Sequence, residues 1–340
     1  MTAKLRILLI FTILSSCLCL AACRQEEPGK ERIIQGWTMG TYFRITLASA
    51  TEDEAKQAED TITELLKRIN QSMSVFDPQS EVSGFNQLES GKKFCPSTDF
   101  AEVMRISFKA YQLTRGAFDP ALGALIDIWG FGPHKQDLTI PEQSRIQKAL
   151  TGAGLNKIIM DNQDCLIKTH SGTRLNLSGI AKGYAVDSIA GALREMNLHS
   201  FVVDIGGEVY AGDRRPDNTL WKIGISIPAP EAGPDDLIKT LALINQAVAT
   251  SGDYRNFFIK DGQRYSHIID PFTGRPVRQR VVSATVKAQS CALADALATA
   301  MLIMDPEESL KLAADSKLFE VHLIEQNKNQ EATVYSSPGF

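Results

Sequence analysis

The chain has 340 residues and a net charge of −4, and 44% of its residues are hydrophobic. This length and composition suit a globular protein with a substantial core. The sequence contains no basic run and has a modest aromatic content of 7%, which argues against a nucleic-acid-binding protein.

Residues 1–22 resemble a bacterial lipoprotein signal peptide. Lys4 and Arg6 form a short positive segment, and the apolar run of residues 7–20 is shorter than the about 20 residues that a membrane span needs. The Leu-Ala-Ala-Cys sequence that ends at Cys23 resembles a lipobox, so we expect cleavage before Cys23 and a diacylglyceryl group on its sulfur. We therefore expect a lipid-anchored protein at a bacterial cell membrane, facing the periplasm. The alternative is an ordinary secretory signal with an incidental cysteine.

The polar residues 23–32 predict a short tether, and residues 33–340 predict one folded domain. Apolar periodicity predicts helices at 52–72, 97–115, 179–196, 290–304 and 306–314, and a further helix that Pro141 opens. It predicts strands at 41–48, 157–161, 165–168, 200–204, 221–227, 238–244 and 281–287, with two short strands closing the chain. Because these elements lack the regular alternation of a doubly wound fold, we predict an α+β fold.

The number and spacing of the cysteines say less about the compartment than the signal segment does. Beyond the signal segment the sequence has Cys23, Cys95, Cys165 and Cys291, and no C-x-x-C pair lies among them. A thiolate zinc site is therefore not expected. If Cys23 is acylated, an odd number remains, and we expect buried free thiols with one disulfide possible.

Several familiar catalytic and nucleotide-binding motifs are missing from the sequence. We find no G-x-G-x-x-G, no P-loop, no G-x-S-x-G and no H-E-x-x-H. A Rossmann dinucleotide site, a P-loop phosphate site, an α/β-hydrolase nucleophile and a zinc-protease helix are therefore not expected.

The segment 291–304 carries two oxygen ligands. Asp295 and Thr299 are four residues apart in a run with helical apolar spacing, so both side chains project from one face. A carboxylate and a hydroxyl placed in this way form part of the shell that Mg²⁺ accepts when substrate phosphates and water complete the octahedron. The alternative is that both residues are polar interruptions of a buried helix.

Seven short clusters that contain Gly, Asp or other polar residues stand out along the chain. They are MGTY at 39–42, GAFDP at 116–120, SGIAKGYAVD at 178–187, DIGGE at 204–208, TSGDYRN at 250–256, SHIIDPFTG at 266–274 and ADALATA at 294–300. With this order and spacing the sequence resembles the ApbE family, the FAD:protein FMN transferases, from about Ile33 to the C-terminal strands. Each cluster alone is weak, and their order and spacing together carry the resemblance.

The resemblance implies a two-lobed α+β fold that binds FAD and Mg²⁺ in the cleft between the lobes. Such an enzyme splits the FAD pyrophosphate, passes FMN to a threonine or serine of a target protein and releases AMP. The acceptors are typically subunits of membrane redox pumps, and many family members are lipoproteins that face the periplasm.

The resemblance also implies a metal and phosphate site. Asp295, Thr299 and a backbone carbonyl at Gly179 would hold Mg²⁺ on the pyrophosphate, and glycine would let the backbone approach the ion closely. Lys182, one helical turn after Gly179, could pair with a phosphate at the positive end of a helix. The alternative for Lys182 is an exposed lysine on an amphipathic helix.

His267 is our choice of general base. An imidazole with a pKa near neutrality can take the proton from an acceptor threonine as the oxygen attacks phosphorus. Asp253 or Asp270 could share this role, and a structural histidine that caps a turn is the alternative. The remaining histidines fall outside the clusters, and we expect them to be structural or surface residues: His134, His170, His199 and His322.

The flavin contacts follow from the resemblance alone. Met39, Gly40 and Thr41 would line the flavin pocket, and Ile268 would contact the cofactor. Phe76 stands where many relatives have a tyrosine packed on the isoalloxazine, and it keeps the stacking face. Core packing is the alternative for Met39 and Phe76.

The nucleotide side of the site would include Ala117, Phe118 and Asp119, which should lie against the ribose or adenine. Asn176 stands where relatives often have an acidic residue. Its amide can hydrogen-bond the nucleotide but adds no charge to the metal site.

Two other functions remain open from the sequence. A Mg²⁺-dependent FAD pyrophosphatase would use the same metal site and release FMN and AMP to water. A flavin-binding lipoprotein without chemistry would need the pocket but would not need Asp295, Thr299 and His267 together.

Overall fold

The structure is a computed structural model that describes residues 29–133, 138–229, 233, 236–252, 256–277, 281–327 and 331–340. The strands are β1 (Lys30–Thr38), β2 (Thr41–Ala50), β3 (Lys93–Phe94), β4 (Ile158–Met160), β5 (Leu166–Lys168), β6 (Phe201–Ile205), β7 (Glu208–Ala211), β8 (Trp221–Ser226), β9 (Leu237–Leu243), β10 (Gln246–Gly252), β11 (Phe257–Lys260), β12 (Gln263–Ser266), β13 (Ile269–Asp270), β14 (Arg275–Pro276), β15 (Val281–Ala288), β16 (Phe319–Gln326) and β17 (Ala332–Ser336). The helices are α1 (Glu52–Met73), α2 (Glu81–Gln87), α3 (Thr98–Leu113), α4 (Gly123–Ile128), α5 (Gln143–Gly152), α6 (Ala181–Glu195), α7 (Cys291–Met301) and α8 (Pro306–Ser316).

An eight-stranded sheet organises the fold. Its strand order is β1-β2-β6-β7-β10-β15-β16-β17, and every neighbouring pair is antiparallel. Helices α1, α6, α7 and α8 pack on one face of this sheet. Since a strand alternates its side chains between the two faces, the apolar residues of that face and of the helices form the main core. The α+β class predicted from the sequence is confirmed.

Two smaller apolar clusters lie away from the main core. The β8–β9 hairpin covers part of the opposite face of the sheet, where Trp221 and Ile225 pack with Val209 and Val248. Helices α4 and α5 and strands β11 to β13 share the second cluster, in which the Trp129 and Tyr265 rings stack with centroids 5.8 Å apart.

Helix boundaries follow local capping chemistry. Helix α1 begins after Thr51, whose hydroxyl accepts from the backbone N–H of Glu54 while the Glu54 carboxylate accepts from the backbone N–H of Thr51. The expected α1 face is buried, at Ile62, Leu65, Leu66 and Ile69.

A carboxylate of each of the helices α6 and α7 accepts hydrogen bonds from the N-terminal N–H groups of the other helix. Asp187 of α6 accepts from the backbone N–H groups of Cys291 and Ala292 at 2.8 and 2.9 Å, and Asp295 of α7 accepts from the N–H of Gly183 at 3.0 Å. The first-turn N–H groups of a helix have no partner within the helix, so each carboxylate satisfies donors of the other helix.

Two sequence expectations need correction. Strand β1 begins at Lys30, so residues 30–32 belong to the sheet rather than to a tether, because Arg32 pairs with Leu47 of β2. Helix α5 begins at Gln143 after the cap residue Glu142, so Pro141 precedes the helix instead of opening it.

Cys95 and Cys165 form the one disulfide that the sequence left possible, and Cys291 is buried and free, as a buried free thiol was expected to be. The pairing of β3 with β5 places Phe94 opposite Leu166, which brings the two neighbouring cysteines together. The described residues include no helix that is long and apolar enough to cross a membrane. Residues 1–28, with the signal segment and Cys23, lie outside the described residues.

Candidate active site

A cleft of about 680 Å³ lies at one end of the large sheet, around the Gly206-Gly207 turn that joins β6 to β7. On the helix side of the sheet its lining includes Lys182, Glu208 and Asp295. The volume falls within the range of roughly 300–1,000 Å³ that is usual for small-molecule sites.

Most of the predicted site residues line this cleft. They are Phe76, Ala117, Phe118, Asp119, Asn176, Gly179, Lys182, His267, Ile268, Asp295 and Thr299. Met39, Gly40 and Thr41 instead form the end of the β1–β2 hairpin, and they are not among the cleft-lining residues. Met39 packs against the main core, and Thr41 lies against Gly206 at the edge of the cleft.

Asp295 is fixed by the close crossing of α6 and α7. Its side chain is buried, and its Oδ2 accepts from the Gly183 N–H at 3.0 Å. A Cβ at position 183 would clash with the carbonyl oxygen of Cys291, so only glycine permits this approach of the two helices. Burial is the main cause that raises the pKa of Asp295, and Lys182 and the Gly183 N–H oppose it.

Lys182 lies between two buried carboxylates. Its Nζ is 3.0 Å from Glu208 Oε1 and 3.9 Å from Asp295 Oδ1. Burial alone would lower the pKa of Lys182, but the negative charges of Asp295 and Glu208 raise it above its ordinary value. Burial raises the pKa of Glu208 above its ordinary value, while the positive charge of Lys182 at 3.0 Å favours its carboxylate form. One ammonium thus faces two carboxylates, an arrangement that an additional cation would balance.

Oxygen atoms suited to a hard cation gather beside this group. Thr299 Oγ1 lies 3.3 Å from the Ser251 hydroxyl, and a Cβ built on Gly179 would come within 3.3 Å of the same Thr299 oxygen. The backbone of Gly179 therefore lies against Thr299, as a backbone ligand there would require. In the described part of the chain, no three His, Cys, Asp or Glu side chains form a metal-binding group. A cation here would need further oxygen ligands from a substrate or from water.

His267 has the protonation and tautomer of a base. Its Nδ1 lies 2.9 Å from the carbonyl oxygen of Asn256, and since a carbonyl only accepts, Nδ1 carries the proton in the neutral ring. Within the described residues, Nε2 has no hydrogen-bond partner. Burial lowers the pKa of His267, the Asn256 carbonyl opposes that effect, and the charge of Lys182 adds to it. The ring is therefore neutral near pH 7, with Nε2 able to accept a proton.

The alternative bases are placed differently. Asp270 accepts from the Phe272 N–H and the Thr273 hydroxyl, both at 2.8 Å, so its carboxylate stabilises a turn. Asp253 lies outside the described residues, as does His134. The other three histidines do not line the cleft: His170, His199 and His322.

The predicted flavin and nucleotide contacts range from exposed to buried. Phe76 lines the cleft and is 68% exposed, so its ring is open to a ligand. Asp119 accepts from the N–H groups of Ala121 and Leu155, and burial raises its pKa to about 6 against these hydrogen bonds. Asn176 Oδ1 accepts from the Ser178 N–H at 3.0 Å. The last two side chains therefore stabilise loops that line the cleft.

The sequence analysis assigned no role to several cleft residues. They include Tyr42, Asp204, Glu208, Ser251 and Asn256. All five residues belong to clusters that the sequence analysis singled out, but the sequence alone does not show which residues each of them contacts. The Tyr42 hydroxyl donates to Asp204 Oδ2 at 3.2 Å, a contact between residues 162 positions apart that no sequence pattern indicates.

Comparison with known proteins gives a consistent result. The model of the ApbE family matches residues 39–323 of this chain. The FAD:protein FMN transferase of Vibrio cholerae serotype O1 is 36% identical over 307 residues, which cover 90% of this chain and 90% of that protein. The FAD:protein FMN transferase of Haemophilus influenzae is 33% identical over 327 residues, which cover 94% of this chain and 93% of that protein.

Solved structures agree with the sequence comparisons. The flavin transferase ApbE from Vibrio cholerae superposes with a TM-score of 0.83 at 33% identity, over 92% of this chain and 99% of that one. The apo form of the Pseudomonas stutzeri flavinyl transferase ApbE gives a TM-score of 0.82 at 30% identity, over 92% of this chain and 96% of that one.

Proposed function

The chain belongs to the ApbE family, and we propose that it transfers FMN from FAD to a threonine or serine hydroxyl of a target redox protein, releasing AMP. One observation carries the proposal: a single cleft brings together a fixed carboxylate, a hydroxyl, an ammonium and an imidazole, at Asp295, Thr299, Lys182 and His267. Phosphoryl-type transfer needs positioning and charge neutralisation, and this set supplies both.

The residues of the cleft suit Mg²⁺. Asp295, Thr299 and the backbone carbonyl of Gly179 would hold the ion, which when bound neutralises charge on the pyrophosphate. The excess of carboxylate over ammonium around Lys182 favours a cation at this point. Lys182 binds a phosphate oxygen and keeps the pyrophosphate at the helix-lined wall of the cleft.

His267 moves the proton in the proposed reaction. Its Nε2 takes the proton from the acceptor hydroxyl as that oxygen forms a bond to the phosphorus of the FMN half. The bond from this phosphorus to the bridging oxygen of the pyrophosphate breaks, and AMP leaves with the electron pair. The Asn256 carbonyl holds the ring in the tautomer that leaves Nε2 free for this step.

The decisive experiment combines the full-length protein with FAD, Mg²⁺ and a redox-pump subunit as acceptor. We expect the acceptor to gain the mass of FMN, with one AMP released per modified chain. The same acceptor with its threonine replaced by valine is the matched control and should stay unmodified. Release of free FMN at the same rate with either acceptor would instead support the FAD pyrophosphatase, and bound FAD without AMP would support a flavin-binding protein.

We also propose that a lipid on Cys23 anchors the enzyme to a bacterial membrane on its periplasmic side. The Leu-Ala-Ala-Cys sequence supports this, and a polar segment follows it before β1 begins at Lys30. Cys23→Ser should release the protein from the membrane fraction while FAD binding stays unchanged, because the lipid would be only an anchor. Unchanged membrane retention of the variant would contradict the lipid anchor.

A further inference from the structure

Glu208 is a buried charged residue of the cleft for which neither the sequence nor the proposed reaction supplies a role. It begins β7, immediately after the Gly206-Gly207 turn, and its side chain is 3% exposed. Its Oε1 lies 3.0 Å from Lys182 Nζ. Among the described residues, its Oε2 is a buried oxygen without a hydrogen-bond partner. A buried carboxylate of this kind is costly, so its presence at the wall of the cleft needs a reason.

The two carboxylates compete for one ammonium. Asp295 Oδ2 is held by the Gly183 N–H at 3.0 Å, while its Oδ1 faces Lys182 Nζ at 3.9 Å, which is beyond hydrogen-bonding distance. Lys182 is therefore bound to Glu208 and only faces Asp295. A lysine side chain is flexible, and without the Glu208 carboxylate its ammonium would move onto Asp295, the nearest remaining negative charge.

We propose that Glu208 is a positioning residue that holds the Lys182 ammonium away from Asp295, so that the Asp295 carboxylate stays available to a divalent cation. The proposal rests on the proposed function, in which Asp295 is a metal ligand. Loss of Glu208 would let an ammonium of the chain itself occupy the position of the cation. Glu208 thus acts through Lys182 and does not touch the reacting atoms.

The test measures metal affinity rather than activity. Full-length protein in detergent is titrated with Mn²⁺ in the presence of FAD, and bound Mn²⁺ is followed by electron paramagnetic resonance. We expect Glu208→Gln to weaken Mn²⁺ binding roughly 10–100-fold, the usual effect of a group that supports a metal ligand. Glu208→Leu should weaken it further, because leucine cannot accept a hydrogen bond from Lys182 at all.

A double-mutant cycle with Lys182→Met separates the proposed role from a direct one. If Glu208 acts through Lys182, the Glu208→Gln change should have almost no effect on Mn²⁺ affinity once Lys182 is methionine. An equal loss of affinity in both backgrounds would overturn the proposal, since Glu208 would then act on the cation directly.

Two controls keep the outcomes apart. Glu320→Gln changes a β16 carboxylate that accepts from the Gly339 N–H at 3.2 Å and does not line the cleft, so it should leave Mn²⁺ affinity unchanged. Asp295→Asn should abolish Mn²⁺ binding. If Asp295→Asn abolishes binding while Glu208→Gln and Glu208→Leu, folded by circular dichroism, bind Mn²⁺ normally, the positioning role is wrong and the metal site stands. If Asp295→Asn also binds Mn²⁺ normally, the metal site of the proposed function is wrong as well.

Discussion

The helix-lined wall of the cleft, formed by Lys182, Glu208 and Asp295, differs from the exposed rim, formed by Tyr42 and Phe76, in burial and in charge. At the wall, Lys182, Glu208 and Asp295 have short defined partners, and the two acidic residues are each 2% exposed. At the rim, Phe76 is 68% and Tyr42 is 45% exposed. A buried charge is tolerated only with fixed partners, whereas an open ring costs little until a ligand covers it. The wall is therefore organised before any substrate arrives, and the rim leaves room for FAD and a protein acceptor.

The sharpest test of this contrast removes one charge from the wall. Asp295→Asn keeps an oxygen for the Gly183 N–H, so the fold should persist while the negative charge is lost. We expect transfer to fall at least about 10⁴-fold, because a bound metal contributes several kcal/mol and each about 1.36 kcal/mol is a factor of ten. The measurement is single-turnover flavin transfer to the acceptor.

Asp187→Asn is the matched control for that variant. Asp187 is a second carboxylate that accepts from backbone N–H groups of a neighbouring helix, but it holds the N-terminus of α7 and does not line the cleft. Its variant should lower Tm, because one of the two carboxylate oxygens that accept from the Cys291 and Ala292 N–H groups becomes an NH₂ group, and it should still transfer FMN. Near-normal transfer by Asp295→Asn, or equal losses of transfer in both variants, would contradict a special role for the wall.

His267→Ala should have the next largest effect. We expect transfer to fall roughly 10²–10⁴-fold, the usual contribution of a positioned base, while FAD binding is retained. Since burial lowers the pKa of His267, the neutral form should persist below the ordinary histidine pKa, and the wild-type rate should be lost only as the pH falls through that lowered value. The variant should lack this pH dependence. Asp270→Asn, which changes only a turn, should keep both the rate and the profile. A variant without FAD binding would instead make His267 a residue that shapes the cleft.

Phe76→Ala should have the smallest effect, because the rim contributes contact area and no charge. We expect FAD affinity to fall by roughly 0.5–1.5 kcal/mol, a factor of about two to ten, with little change in the rate at saturating FAD. Phe76→Tyr keeps the ring and should bind FAD as the wild type does. Flavin fluorescence quenching measures both affinities. A loss of rate at saturating FAD in Phe76→Ala would show that the rim positions the reacting atoms.

The sequence predicted the helices that form the wall, but it did not predict the contact between Lys182 and Glu208, which lie on different elements. Helices α1, α6 and α7 were anticipated because their apolar spacing is strong, and Asp295 and Thr299 do line one cleft. Glu208 was missed because one glutamate in a four-residue, fully buried strand has no periodic signal. Its partner Lys182 lies on another element, and only the fold brings the two together.

Strand pairing explains two further features that the sequence did not predict. Strand β1 was not predicted, because its exposed polar residues resemble a tether until β2 pairs with them. The Cys95–Cys165 disulfide depends on the pairing of β3 with β5, which are two and three residues long. Such short strands have no sequence pattern of their own, so tertiary packing decides them.

The hydrogen bonds between the N-terminal amides of α6 and α7 and the carboxylates of the opposite helix affect slow motions of the protein. The amides of Gly183, Cys291 and Ala292 each donate to a carboxylate of the other helix, so neither helix end can fray without exposing charges of both. Amide hydrogen exchange at these three positions should therefore proceed only through opening of the whole core, although helix ends usually exchange early. The first turn of α6, which carries the proposed phosphate ligand Lys182, and the first turn of α7, which precedes the proposed metal ligand Asp295, would then be among the last parts of the molecule to open.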